Sequence, residues 1–384
     1  MVTTKKKILV FVDWYLPGYK AGGPIRSIAN MCARLKEDYD FRIVTSDTDL
    51  HETTPYPDVK KDSWTKAPDG TDILYISASQ RRYKTIRHII TEERADIIYL
   101  NSVFSKTFTL FPLMIRKSLF PNRKVVLAPR GMLGEGALNI KSGKKKLFLF
   151  WSKLTGLYNN VRWHASSEAE VAEVKKIFGN NAKCTVALNL SQKRELKTVR
   201  RRKEQDKMKM AFLSRISYKK NLTGTLELLH NIPSDKFIEF DIYGPVEDPD
   251  YWGRCEELIR KMPKHIHVQY KGAIPNEKVS EIMQQYHLSI LLTFNENFGH
   301  SIIESMAAGC PVLISDQTPW KRLSEKKAGW DFALSDKEGI QSALMQMTEM
   351  DQSNFDNWSD GALLLASGIV NHPESIEQHR TLFA

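Results

Sequence analysis

Short apolar runs of strand length recur along this chain, and the stretches between them carry helical spacing. A first series comprises KILVFV (7–12), FRIVTS (41–46), DILYIS (72–77), DIIYLN (96–101), KVVLAP (124–129) and NVRWHAS (160–166). The pattern restarts with KMAFLSR (209–215), FIEFDIYG (237–244), IHVQYKG (266–272), LSILLTF (288–294) and PVLISD (311–316). Runs that are apolar throughout belong to strands buried on both faces, and segments such as PIRSIANMCARLKE (24–37) supply the covering helices. Strand alternating with helix predicts an α/β fold of doubly wound parallel sheets, and two successive series predict two Rossmann-like domains. A length of 384 residues is more than one core usually serves. The expected division is residues 1–190, a polar linker over 191–208, and a second domain over 209–367.

With 42% apolar and 10% aromatic residues the chain can build sizeable cores, which excludes global disorder. Cys32, Cys184, Cys255 and Cys310 are scattered, so neither a disulfide framework nor a zinc site is expected. The apolar run ILVFV near the N-terminus is too short for a signal peptide or a membrane span, and a cytoplasmic location is expected. A net charge of +11 and a pI near 9.3 favour an anionic partner. That charge concentrates in KSGKKKLFLFWSKL (141–154) and KRELKTVRRRKEQDKMK (193–209).

In open parallel sheets ligands bind outside the carboxyl ends of the strands, so the loops there carry the functional signal. Gly22 and Gly23 precede Pro24 after the first strand, a turn that lets backbone N–H groups approach an anion, or simply connects strand to helix. SRISYKKNL places Arg215 and Lys220 at a strand end, able to converge on a diphosphate; a solvated basic loop is the plainer alternative. FNENFGHSIIESMAAGCPV reads as strand, turn and helix, with Gly309 as the helix stop. The N–H groups of Gly299, His300, Ser301 and Ile302 then lie at the positive end of a helix, where phosphate binds. Glu304, one turn in, suits a ribose diol, and Glu296, before the turn, suits a sugar's hydroxyls. Surface or capping roles are the plainer alternatives for these two carboxylates.

These residues resemble the signature of retaining glycosyltransferases of family 4, whose E-x7-E motif appears as Glu296 and Glu304. Further landmarks recur in order: Gly22-Gly23, PRGML (129–133), HASSEAE (164–170), SRISYKKN (214–221), YGP (243–245) and YKGAI (270–274). SDQTPW and AGW, ending at Trp320 and Trp330, recur in relatives that build polysaccharides. The resemblance implies the GT-B architecture, two facing Rossmann-like domains with a central cleft. The first domain would bind the acceptor and the second the nucleotide sugar, and a C-terminal helix over about 368–384 would pack back on the first. It assigns Glu304 to the ribose, Glu296 to the donor sugar, and Arg215 and Lys220 to the diphosphate. It assigns the backbone around Phe298 and Gly299 to diphosphate and sugar, Gly244 to a glycine turn, and Gly272 to the loop near the nucleobase. Many relatives carry a histidine after the strand equivalent to KVVLAP, where this chain has Arg130 and Gly131; Arg130 is the candidate there for donor phosphate or an acidic acceptor. His164 is a candidate for the cleft or for the core.

The implied reaction moves a sugar from a UDP or GDP donor to an acceptor hydroxyl, with no cofactor and no metal. The implied acceptor is lipid-linked or a growing capsule, O-antigen or exopolysaccharide precursor. Competing readings are a nucleotide-sugar 2-epimerase of the same architecture, a glycoside hydrolase using the two glutamates, and a non-enzymatic basic nucleotide- or nucleic-acid-binding protein. Nucleic acid is disfavoured because aromatics do not interleave with the basic runs. Lys144, Lys145, Lys146, Phe148 and Trp151 mark a basic, apolar helix that either lies on an anionic membrane surface, making the protein peripheral, or packs in the first domain's core.

Overall fold

The computed structural model describes residues 5–134, 138, 142–191 and 199–384. It divides into two compact units, Met1–Gln192 with Pro373–Ala384, and Lys193–His372. Residues 192–198 of the expected linker lie outside the described residues.

The first unit contains β1 (Lys6–Phe11), α1 (Gly23–Leu35), β2 (Tyr39–Ser46), β3 (Trp64–Lys66), β4 (Asp72–Ile76), α2 (Tyr83–Glu93) and β5 (Ile97–Leu100). It continues with α3 (Phe111–Leu119), β6 (Lys124–Leu127), α4 (Ser142–Leu154), β7 (Val161–Ala165), α5 (Glu168–Phe178) and β8 (Lys183–Val186). The strand order is β3-β4-β2-β1-β5-β6-β7-β8, parallel except where β3 pairs antiparallel with β4. Alternation along the strands builds a core on each face. Ile8 and Val10 join one cluster with Ile28 and Met31 of α1, while Leu9 and Phe11 join the other with Ile86 and Ile90 of α2. Each fully buried side chain of this size contributes about 1.5–3 kcal/mol.

The second unit contains β9 (Lys207–Leu213), α6 (Leu222–Leu229), β10 (Phe237–Tyr243), α7 (Pro249–Arg260), β11 (Ile266–Gly272) and α8 (Asn276–Met283). It continues with β12 (Leu288–Leu291), α9 (His300–Ala307), β13 (Val312–Ser315), β14 (Gly329–Phe332), α10 (Lys337–Glu349) and α11 (Gln352–Val370). Its order is β11-β10-β9-β12-β13-β14, all parallel. Strand order reverses between β9 and β12, which makes the gap between their carboxyl ends a switch point suited to a ligand.

Two sequence expectations need correction. The helix expected over 368–384 is interrupted: α11 ends at Val370 in the second unit, and α12 (Pro373–Phe383) buries Leu382 and Phe383 in the first unit's core. The basic stretch expected as linker through residue 208 is folded from Arg201 onward. Arg201 is buried and donates to the carbonyls of Met283, Tyr286, Ala308 and Gly309, and Lys203 donates to those of Thr348 and Met350. Carbonyl oxygens left over at helix ends solvate these two cations inside the unit.

Candidate functional site

The loop after β9 and the loop after β12 flank the switch point of the second sheet, and they are hydrogen-bonded together. Phe294 N and Thr293 Oγ1 both donate to Lys219 O, at 2.9 and 3.0 Å. The loop after β9 is also tied to the one after β10, through Ile216 N to Pro245 O at 2.9 Å. That approach explains Gly244: a Cβ there would sit 1.8 Å from Ser214 O, and φ is +143°. Gly272 ends β11 at φ +78° and accepts a bond from Gly244 N at 2.9 Å.

Lys220 and Glu296 meet directly. Lys220 Nζ donates to Glu296 Oε2 at 2.5 Å, with side chains 9% and 21% exposed. The other carboxylate oxygen accepts from Asn297 N at 3.0 Å, and Glu296 N donates to Gln317 O at 2.8 Å. Burial opposes ionisation of Glu296, but the charge and hydrogen bond of Lys220, the charge of Lys219 and the Phe298 N–H prevail, and its pKa is pulled down to about 2. The cost of burying this carboxylate is therefore met within the protein. Arg215 turns to Glu247, donating at 2.7 Å. Arg215 and Lys220, expected to converge on a diphosphate, are thus each paired with a carboxylate of their own.

Gly299 takes the left-handed conformation, φ +76°, and starts α9, whose N-terminus receives no side-chain cap. Ile302 N donates to Gly299 O at 3.0 Å, so the expectation that it offers an N–H to a ligand is also corrected. Phe298 is buried, its ring 5.3 Å from Trp320 and 4.7 Å from His300, and its carbonyl accepts from Trp320 Nε1. Trp320 thereby fixes the turn. Ser301 and Glu304 are half-buried on the first turns of α9, whose interior residues Ile302, Ile303 and Met306 anchor it to the core. Sequence reasoning missed an aromatic ledge beside Lys220: Tyr218 and Phe294 stack at 5.1 Å with both rings exposed. Its signal, an aromatic in each of two strand-end loops, needs the tertiary fold to be seen.

In the first unit, Gly22 is the cap of α1 at φ +67°, with Gly23 opening the helix and Pro following. Arg130, in the left-handed region at φ +52°, donates to Asn101 Oδ1 at 2.6 Å, to Tyr99 Oη at 3.0 Å and to Asn189 Oδ1. These three partners are neutral amide and hydroxyl groups. Tyr99 Oη in turn lies 2.7 Å from His164 Nδ1, and His164 Nε2 lies 2.9 Å from Ala187 O. The carbonyl fixes the proton on Nε2, so Nδ1 accepts from Tyr99, and burial with the nearby charge of Arg130 holds His164 well below its usual pKa. His164 is thus a core histidine. Asn101 Nδ2 is buried without a protein partner, and Asp13, whose carboxyl burial raises, accepts from Ser105 Oγ at 2.6 Å. Both close strand ends and were missed, because each reads as the polar stop of an apolar run.

Helix α4 divides its apolar residues between two faces. Phe148, expected in the surface patch, packs against Phe104 at 5.7 Å and is corrected to the core side; Lys145 Nζ lies over the same ring. Trp151 is exposed, as are Lys144 and Lys146. No described helix is long and apolar enough to cross a membrane. Among the described residues, no three His, Cys, Asp or Glu side chains group as metal ligands. Three Asp-x-Asp triplets have structural partners: Asp38 pairs with Arg380, Asp47 with Arg81, Asp49 accepts from Tyr19 N, and Asp248 caps α7.

Comparison with known proteins now bears on this arrangement. Residues 192–355 match the family model described as glycosyl transferases group 1. No curated protein matches the sequence significantly. Among solved structures, sucrose-phosphate synthase from Thermosynechococcus elongatus superposes with a TM-score of 0.73 at 14% identity, covering 99% of this chain and 98% of that one. HepE of Anabaena, in complex with UDP and glucose, gives 0.69 at 13%, covering 98% and 99%. WaaG, a glycosyltransferase involved in lipopolysaccharide biosynthesis, gives 0.67 at 12%, covering 98% of each chain. At these identities the likeness shows the fold. Residues 192–355 are therefore similar to the glycosyl transferases group 1 family, within a chain that has the GT-B fold.

Proposed function

We propose that this protein is a retaining glycosyltransferase that moves a sugar from a nucleoside diphosphate to an acceptor hydroxyl. The observation that carries the proposal is the cluster at the switch point of the second sheet. There the uncapped start of α9 stands with Glu304 one turn in, in the same unit as the Lys220–Glu296 pair. The bond from the anomeric carbon to the diphosphate breaks, and its electron pair leaves with the diphosphate. The acceptor oxygen bonds to the same face of that carbon, and its proton passes to the departing diphosphate oxygen. Charge grows on the leaving group, so Lys220, Arg215 and the helix start favour the transition state over the ground state. Glu304 binds the ribose and Glu296 the donor sugar; no metal takes part in this reading.

UDP is the favoured donor base, because the HepE structures contain UDP, UDP with glucose, or UDP-glucose. The likeness to WaaG supports a lipid-linked or growing polysaccharide acceptor, and α4 supports peripheral attachment to an anionic cytoplasmic membrane surface. A thermal-shift panel of nucleoside diphosphates and nucleotide sugars tests the donor reading. Stabilisation by one base, abolished by Glu304→Ala, is expected; stabilisation by none refutes it. Donor incubated without acceptor should yield no epimer.

A further inference from the structure

Helix α4 turns an apolar stripe away from the unit it belongs to. Leu147, Phe150, Trp151 and Leu154 are 60%, 61%, 54% and 68% exposed. Their spacing, at about 100° per residue, puts them in one narrow arc opposite the inward-facing Leu149 and Ser152. On the same geometry Lys144 borders one edge of the stripe, and Lys146 and Lys153 border the other. The helix contains no acidic residue. Neighbouring α3 adds exposed Met114, one turn before Lys117, which donates to Thr155 O just past the end of α4. A monomer rarely leaves so much contiguous apolar surface in water, and the flanking cations select an anionic apolar surface over a second copy of the same positive face.

The C-terminal end of the stripe reaches a cavity of about 610 Å³ that Ser152 and Lys153 help to line. Lys176 and Lys183 add two further cations, Asn159 and Asn181 add amide donors, and no carboxylate is among the lining residues. Trp163 forms its floor, 5.7 Å from Tyr158 and 4.6 Å from Phe178. The cavity lies at the amino ends of β7 and β8, the opposite end of the sheet from Arg130. It is therefore separate from the loops at the carboxyl ends of the first sheet's strands.

We propose that α4 lies in the interface of an anionic bilayer with Leu147, Phe150, Trp151 and Leu154 inserted, and that the lysine-lined cavity beside it takes the phosphate headgroup of a lipid. This rests on the reading of the protein as peripheral to a membrane. Lys153, Lys176 and Lys183 are exposed at the cavity's rim with no carboxylate in its lining. Three charges gathered around one concave site hold a phosphate at the level of the headgroups more firmly than diffuse surface charge does.

The test is flotation of the full chain with phosphatidylcholine vesicles carrying either phosphatidic acid or, at equal surface charge, a fatty acid. Wild type should prefer phosphatidic acid. A stripe variant, Leu147→Ser with Phe150→Ser, Trp151→Ser and Leu154→Ser, should lose binding to both vesicles by about tenfold or more. A cavity variant, Lys153→Gln with Lys176→Gln and Lys183→Gln, should lose the preference for phosphatidic acid. A charge-matched control, Lys60→Gln with Lys61→Gln and Lys66→Gln, should keep it. Undiminished binding of the stripe variant overturns the membrane reading as a whole. Loss in the stripe variant, with the cavity variant matching the control, overturns the headgroup site and leaves the membrane reading standing. A vesicle-free wild-type dimer that the stripe variant dissociates would mark the stripe as a self-interface and overturn both.

Discussion

Replacing Lys220 and Glu296 singly and together separates their structural role from their role toward a diphosphate. In Lys220→Met, Glu296 keeps its surroundings but loses the cation that holds its pKa near 2. Folding moves this carboxyl from 4.5 to about 2, which corresponds to about 3 kcal/mol of stability. Because the folded pKa is depressed, that stability is present in full above pH 4.5 and is lost as pH falls toward 2. Calorimetry of the full chain at pH 7 should therefore show Lys220→Met destabilised by about 3 kcal/mol. Lys220→Met with Glu296→Gln should recover most of it, because no unpaired charge remains. Toward UDP the two single variants should diverge. Lys220→Met loses a charge-assisted bond worth about 1.5–3 kcal/mol, roughly a 10- to 150-fold weakening in titration calorimetry. Glu296→Gln removes the carboxylate that competes with the diphosphate for Lys220, so UDP should bind as well as or better than to wild type, while transfer slows. Equal weakening of UDP binding in both single variants, with an additive stability cycle, would refute the reasoning.

Other outcomes follow from named residues. Arg201→Met should lower stability by about 3–5 kcal/mol in urea unfolding, because four carbonyls lose their buried donor. Arg200→Met, which removes an exposed pair with Asp360, should cost less than about 1 kcal/mol; similar costs for the two would contradict the structure. His287 and His379 are held neutral, each pushed down to about 4 mainly by burial. The unfolded chain binds their protons first, so stability should be full above pH 6.5 and decline between 6.5 and 4, by up to about 3 kcal/mol per histidine. A urea midpoint that is flat from pH 7 to 4.5 would exclude this. Gly299→Ala puts a Cβ 2.7 Å from Ile302 Cδ1 at φ +76°. It should cost about 1–2 kcal/mol and reduce the UDP-dependent thermal shift; an unchanged shift would remove the start of α9 from the donor site.

The central strands were legible because burial on both faces writes a continuous apolar run. Three of the four edge strands were not: Trp64–Lys66, Lys183–Val186 and Gly329–Phe332 are short, carry polar or charged residues and read as loop, whereas the longer edge strand Ile266–Gly272 was read as IHVQYKG. In the candidate site, the α9 segment was legible as a motif because its glycine, helix and stop are local. The pairing of Lys220 with Glu296 was not, since those residues are 76 positions apart and meet only once β9 and β12 lie side by side. Arg201 and Lys203 misled for the converse reason. A run of basic residues looks solvated until the carbonyls that receive it are known, and those come from the ends of three separate helices of the second unit.

The distribution of charge separates two tasks within one basic chain. Around the switch point, Arg215, Lys219 and Lys220 are matched by Glu247, Glu296 and Glu304, so this set carries no net charge despite the +11 of the whole. Attraction for a diphosphate there depends on orientation: a lysine held in one direction by Glu296, and helix N–H groups aimed by Gly299 and the buried Phe298. Preorganised dipoles of this kind act over the first turn of a helix and need no excess of positive charge. Helix α4 is the opposite case, with four lysines, no acidic residue and large exposed apolar side chains, a combination that attracts an extended anionic surface and does little to orient a small ligand. The excess charge thus has its clearest expression on α4 and makes little contribution at the candidate donor site. On the proposed membrane reading, the chain's high pI bears on where the protein sits and hardly at all on which sugar the proposed transfer moves.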